Sequence, residues 1–222
     1  MDIELRELLG STTVVWRPGP GWRMLASGVL GGGLGPRTWV LNAQVPLAYD
    51  RTDPDIHLAE LCSAHGLSGD GVGMLTATAV RHYTQAREQG VEVTATVGLS
   101  VPTWAADGAA LPVAGRPGTV NIITALPVPL DDAALVNAVI TATEAKTQAL
   151  WNAGLACTGT ASDALCVAVP ESGGPVVPFC GPRSVWGARL ARAVHAAVHR
   201  GAVNWLERHP DHEVARSAQA LA

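Results

Sequence analysis

Three apolar runs near the start of the chain decide the fold class: Thr12-Thr13-Val14-Val15-Trp16, Arg23-Met24-Leu25-Ala26-Ser27-Gly28-Val29 and Thr38-Trp39-Val40-Leu41-Asn42-Ala43-Gln44-Val45. Each reads as a strand, and between them lie the turn clusters Arg17-Pro18-Gly19-Pro20-Gly21 and Gly31-Gly32-Gly33-Leu34-Gly35-Pro36. Outward from this block, Asp53-Pro54 opens a helix to about His65, ended by Gly66. Leu75 to Gln85 and Val91 to Leu99 pair as a hairpin across Arg87-Glu88-Gln89-Gly90, although the first arm reads equally well as helix. A strand over Thr119–Leu126 follows a Pro/Gly-rich loop. A helix over Asp131–Ala153 is capped by Asp131 or Asp132 and stopped by Gly154. A buried strand over Ala164–Val169 and a helix from Ser184 to about Arg208 complete the order, with a tail expected to fray beyond Pro210. Several neighbouring strands lack the crossovers that an all-parallel sheet requires. The expected fold is α+β, a layered mixed or mostly antiparallel sheet with packed helices, in a single domain over residues 1–222.

With 48% hydrophobic and 15% charged residues, the chain can bury a sizeable core. A net charge of −4 without a basic run argues against a nucleic-acid partner, which would need lysine and arginine to displace counterions. The longest uncharged stretch, Thr147 to Ser162, carries Gln148, Asn152, Gly154 and three threonines, so no membrane span is expected. The start, Met1-Asp2-Ile3-Glu4-Leu5-Arg6-Glu7, is acidic and lacks an apolar signal core, which makes the cytoplasm the expected compartment. Cys62, Cys157, Cys166 and Cys180 form no C-x-x-C pair and read as reduced, structural thiols. A homo-oligomer is compatible with this composition, which sets no oligomeric state.

Lys146 is the only lysine in the chain. On a wheel of about 100° per residue, it falls on the apolar arc of its helix with Leu135, Val139, Ala142 and Leu150. Thr143 lies beside it and Glu144 at the border, while Asn137, Thr141, Gln148 and Asn152 face the other way. An ammonium on such an arc either packs its stem and lifts its head to the rim or meets a partner in a cleft. Thr158-Gly159-Thr160-Ala161-Ser162-Asp163 gathers three hydroxyls and a carboxylate just before a strand. It is either a capped turn or a loop that presents donors to an oxyanion. Thr119 and Asn121 share one face of their strand, where Asn121 either orients an amide or satisfies a nearby loop. His195 and His199 stand at i, i+4 but beside Arg192 and Arg200, and they read as a solvated basic face; His209 and His212 receive the same reading. No metal site and no cofactor are expected. Phosphate-loop, dinucleotide and nucleophile-elbow motifs are absent.

Taken in order, several segments resemble the adenosylcobinamide amidohydrolase family of corrinoid salvage. They are Val40-Leu41-Asn42 with Val45-Pro46, Gly73-Met74-Leu75-Thr76-Ala77, Gly118-Thr119-Val120-Asn121-Ile122-Ile123, Thr141-Ala142-Thr143-Glu144-Ala145-Lys146 and Thr158 to Asp163. Gly181 to Val194 extends the match, which covers roughly residues 38 to 198. Two departures stand out. Thr96-Val97-Gly98-Leu99-Ser100 lacks the asparagine expected after Val93-Thr94-Ala95, and Ser162 replaces a usual threonine.

The resemblance implies hydrolysis of the amide joining aminopropanol to the corrin side chain, with the corrinoid as substrate. Lys146, Glu144, Thr158, Thr160 and Asp163 are the expected catalytic residues; Asn121, Thr119, Asn42, Thr76 and Thr143 are the expected substrate contacts. In one mechanism Thr160 or Thr158 attacks, activated by Lys146; in the other a carboxylate activates water while the hydroxyls and Asn121 bind the oxyanion. A non-catalytic corrinoid carrier is the rival reading, although ring binding alone would not call for so many ionisable and hydroxyl groups.

Overall fold

The computed structural model describes residues 1–106 and 118–212. In chain order its elements are β1 (Ile3–Leu8), β2 (Ser11–Trp16), β3 (Trp22–Ala26), β4 (Gly33–Pro36), β5 (Trp39–Gln44), α1 (Pro54–Ala64) and β6 (Gly71–Thr76). A 3-10 turn, Val80–His82, leads into β7 (Thr84–Glu88), β8 (Val91–Val97), β9 (Pro102–Thr103) and β10 (Val120–Ala125). Then come α2 (Asp132–Asn152), β11 (Gly159–Thr160), β12 (Ala164–Pro170) and α3 (Val185–Arg208).

The strands form a four-stranded sheet, β1-β2-β5-β6, and a six-stranded sheet, β4-β3-β12-β10-β8-β7, with β9 and β11 as a separate ribbon. Among the described residues only β5–β6 and β10–β12 pair in parallel. Each of these pairs is bridged by a helix, α1 or α2, as a parallel crossover requires.

The two sheets face one another. Trp16, Met24, Val40, Val72, Met74, Ile123 and Cys166 fill the space between them. Beyond the four-stranded sheet, Val15, Trp39 and Leu41 pack under Leu58 and Leu61 of α1. Beyond the six-stranded sheet, alternate residues such as Val93, Ala95, Val120 and Ile122 pack under α2 and α3, in the largest core. The result is four layers: helix, sheet, sheet, helix pair. Each fully buried leucine or isoleucine in these cores contributes about 1.5–3 kcal/mol.

The α+β expectation holds, but the sheet is divided in two and several boundaries move. Gly31–Pro36, read as a turn, supplies edge strand β4, because strand pairing with β3 uses backbone groups that glycines also carry. Charged Ile3–Leu8 is a solvated edge strand on β2. Leu75–Gln85 is not one hairpin arm. Its start belongs to β6 in the four-stranded sheet, and only β7 pairs with β8. The hairpin turns at Gln89 and Gly90, with φ of 44° and 93°, the backbone that tight two-residue turns demand.

Thr141, assigned to the polar arc of α2, is buried instead, and its hydroxyl donates to the Cys180 carbonyl at 3.0 Å. The Asp131 cap is as expected, accepting from the Ala134 N–H at 2.7 Å. The four cysteines are free and buried. Burial pushes the Cys62 and Cys180 thiols up to about 11 and Cys166 to about 12. Among the described residues no helix is long and apolar enough to cross a membrane. From residue 213 onward, the tail expected to fray lies outside the described residues.

Candidate active site

The β10–α2–β12 unit brings the first group of site residues together. Register pairs Asn121 with Ala164, so the turn before β12 lies beside the start of β10, and α2 returns across both strands. Lys146, only 9% exposed, points from α2 toward that turn. Asp163 collects four donors there. Its Oδ2 accepts from Lys146 Nζ at 2.5 Å and from the Thr160 N–H at 3.1 Å. Its Oδ1 accepts from the Thr160 hydroxyl at 2.5 Å and from the Val120 N–H at 2.9 Å. A carboxylate so supplied keeps one orientation. Gly159 makes the approach feasible: a Cβ there would collide with both Asp163 Oδ2 and Lys146 Nζ.

Thr158 and Thr119 have other partners. The Thr158 hydroxyl donates to the Thr103 carbonyl at 3.2 Å and accepts from the Ala105 N–H at 2.8 Å, tying the β9 segment to the loop. Thr119 shares a 2.7 Å hydrogen bond with Ser162. Thr143 is exposed and donates back to the Val139 carbonyl, as helical threonines do. Glu144 is exposed and takes no part in the cluster.

Asn42, Asn121 and Thr76 are not brought to this cleft. They are 2%, 1% and 2% exposed, deep between the sheets. Asn121 Nδ2 donates to Asn42 Oδ1 at 2.8 Å and to the Leu75 carbonyl at 3.0 Å, and Asn42 Nδ2 donates to Thr96 Oγ1 at 2.9 Å. Thr76 Oγ1 accepts from the Thr78 N–H. The network ties the two sheets together through neutral amides and hydroxyls.

Beside Lys146 and Asp163 opens a cavity of about 190 Å³, walled by Val120, Ile122, Val139, Ala142 and Leu165, with Ser27 and the expected substrate contact Thr143 as its further polar groups. That is smaller than the roughly 300–1,000 Å³ typical of pockets for drug-sized ligands. Ser27, whose Oγ accepts from the Leu165 N–H at 3.1 Å, went unnoticed in the sequence because it comes from β3's end, far along the chain. Thr147 was missed too. Its hydroxyl reaches the Thr158 carbonyl at 3.1 Å, and its place next to Lys146 on the helix was the available signal.

A second cavity, about 570 Å³, lies where β5 and β6 end, between Pro46, Thr78, Ser100 and the end of α3. Its walls include His82, His209 and His212, of which His209 is exposed, as expected of a solvated face, and His212 is half-buried. His209 stacks on Trp205 with its Nδ1 against the Trp205 carbonyl, and His212 Nε2 lies 2.9 Å from the Ser100 carbonyl. His195 and His199 stack on each other at the surface of α3, with His195 bonded to Asn152. Among the described residues no three His, Cys, Asp or Glu side chains converge to hold a metal ion.

A lysine and a threonine hydroxyl held on one carboxylate, beside a small apolar slot, suit acyl transfer, the class to which amide hydrolases belong. The family model described as adenosylcobinamide amidohydrolase matches residues 2–210. An adenosylcobinamide amidohydrolase of Halobacterium salinarum is 37% identical over 194 residues, 81% of this chain and 79% of the relative. Another, from Methanosarcina mazei, is 28% identical over 180 residues, 78% of this chain and 86% of the relative. The crystal structure of the PH0078 protein from Pyrococcus horikoshii aligns with a TM-score of 0.46 and 12% identity, over 89% of this chain and 78% of that one. The chain belongs to the adenosylcobinamide amidohydrolase family, and it is an amide hydrolase.

Proposed function

We propose that this enzyme hydrolyses the amide linking aminopropanol to the corrin side chain of adenosylcobinamide, releasing adenosylcobyric acid and 1-amino-2-propanol for corrinoid salvage. The observation that carries the reading is the position of Asp163, between the Thr160 hydroxyl on Oδ1 and the Lys146-lined slot on Oδ2. The slot suits a short amino-alcohol arm and leaves a corrin ring outside.

Thr160 is the nucleophile in this mechanism. Of the threonines singled out, its hydroxyl is the one that donates to a carboxylate. Thr160 Oγ1 attacks the carbonyl carbon as its proton passes to Asp163, and Lys146 stabilises the oxygen that becomes negative. Asp163 returns the proton to the departing amine in the slot as the C–N bond breaks, leaving an ester on Thr160. Water then attacks that ester, giving a proton through Asp163 back to Thr160 Oγ1 and freeing the acid. We read the compartment as the cytoplasm, in keeping with four free thiols.

Incubating the purified protein with adenosylcobinamide should yield cobyric acid by mass spectrometry, and rapid acid quench should trap a corrinoid ester on the peptide carrying Thr160. Intact substrate that still binds would return the carrier reading. Hydrolysis by a Thr160→Ala variant at the wild-type rate would transfer the attack to water.

A further inference from the structure

The 570 Å³ cavity has no part in the mechanism above, yet its wall gathers three of the chain's seven histidines. Three imidazoles, Arg208 and Trp205 share its wall with Thr78 and Gln44. Gln44 Oε1 is buried without a hydrogen-bond partner among the described residues, an acceptor that costs stability unless a ligand supplies a donor.

The histidines do not converge enough to make a metal centre of their own. A metal that arrives already ringed by four nitrogens needs only one more ligand. Their hydrogen bonds separate them. His209 commits Nδ1 to the Trp205 carbonyl and stacks on that indole, and His212 commits Nε2 to the Ser100 carbonyl. The remaining histidine hydrogen bonds among the described residues belong to His57, His65 and His195, so His82 carries both ring nitrogens uncommitted into the cavity.

The cavity and the amide slot share no lining residue, but a short chain of contacts joins them. Thr78 packs against Gly98 at the end of β8, the Gly98 N–H donates to the Thr119 carbonyl at 3.0 Å, and Thr119 bonds Ser162 beside Asp163. From the end of β8 across β10 to the start of β12 is two strand spacings, about 10 Å. A macrocycle seated in one cavity can extend a rim amide into the other.

We propose that this cavity seats the corrin ring and that His82 supplies an axial nitrogen to the substrate's cobalt, displacing a water from the open lower face. Gln44 Oε1 accepts from one of the carboxamides that fringe the ring. The inference rests on the corrinoid reading above but not on the amide-cleaving residues.

The test uses the whole protein and cob(II)inamide, whose single unpaired electron reports its axial ligand. Electron paramagnetic resonance of the complex should show each cobalt line split into three by one nitrogen. His82→Ala should abolish the splitting and weaken binding by about 10-fold or more, with free imidazole restoring the splitting. His209→Ala should keep it. His82 is exposed, so the variant is expected to fold, and a thermal melt checks that. No splitting in the wild type, or splitting that survives His82→Ala, overturns the proposal. Adenosylcobinamide hydrolysis, measured separately, keeps the two readings apart: cleavage without splitting removes the cobalt ligand and leaves the amidase, whereas splitting without cleavage does the reverse.

Discussion

Strand β10 divides two polar clusters that the sequence had grouped as one. On its sheet-facing side, Asn121, Asn42, Thr96 and Thr76 are neutral, almost wholly enclosed, and bonded mainly to each other and to backbone. Around its start, on the side of α2, Lys146 and Asp163 are charged, with side chains 11% and 14% exposed, and stand beside an open slot. Burial alone does not separate structure from chemistry here. What separates them is whether the polar atoms face a space that a substrate can enter. A neutral network between two sheets fixes how the sheets meet, while an ion pair at a rim holds groups that can exchange partners.

The sharpest way to break that contrast is Lys146→Met. The stem's packing stays, and Asp163 keeps its Thr160 and Val120 donors, so the fold should survive. Turnover should fall by about 10²-fold or more. A stable variant with full activity would reduce the ion pair to a structural contact. Asn121→Leu should do the opposite. It strands the Asn42 and Leu75 oxygens, and stability should drop by about 1–3 kcal/mol for each. At about 2–4 °C per kcal/mol, the thermal midpoint should fall clearly while turnover per folded molecule holds. If turnover collapses at an unchanged midpoint, the interior network belongs to the site after all.

A smaller effect is expected from pH at the far side of the four-stranded sheet. His65 is buried, with Nε2 against the Thr13 hydroxyl and Nδ1 unpartnered. Burial, then Arg6 and Arg17, lower its folded-state pKa below the ordinary histidine value of about 6.5, with Glu4 opposing. The unfolded chain therefore binds the proton more readily. The stabilisation is complete above about pH 6.5 and is lost as pH falls toward the folded value. Thermal melts between pH 7.5 and 5 should decline, and His65→Gln should flatten that slope; a slope unchanged by the substitution assigns it to other groups. Smallest of all is Glu144→Gln. An exposed carboxylate outside the cluster should change turnover by no more than about the scatter of a surface substitution, within 0.5 kcal/mol. A large loss would bring Glu144 back among the catalytic residues.

The strands over Thr12–Val45 and the helix over Asp131–Ala153 were legible because their periodicity and caps are local signals. The division into two sheets was not, since Leu75 and Gln85 carry similar strand propensity and only long-range pairing assigns them to different sheets. The same limit shaped the site. Helical period set Lys146 on the apolar arc, and short spacing kept Thr160 with Asp163. Asn42 and Asn121 came through family resemblance, which reports that a residue matters but not which cavity, if any, it faces. His82, Ser100 and His212 meet across wide separations, and no local pattern announces such a meeting.

The Lys146–Asp163 bond spans only 17 residues and stays within one strand–helix–strand unit. The larger cavity instead draws its walls from the ends of β5 and β6, the 3-10 turn and the end of α3. On the proposed mechanism, bond cleavage is thus encoded in a short continuous cassette, and on the proposed corrin seat, recognition in scattered loops around it. Descendants of this chain can diverge in which large molecule they admit while their cutting apparatus is inherited intact.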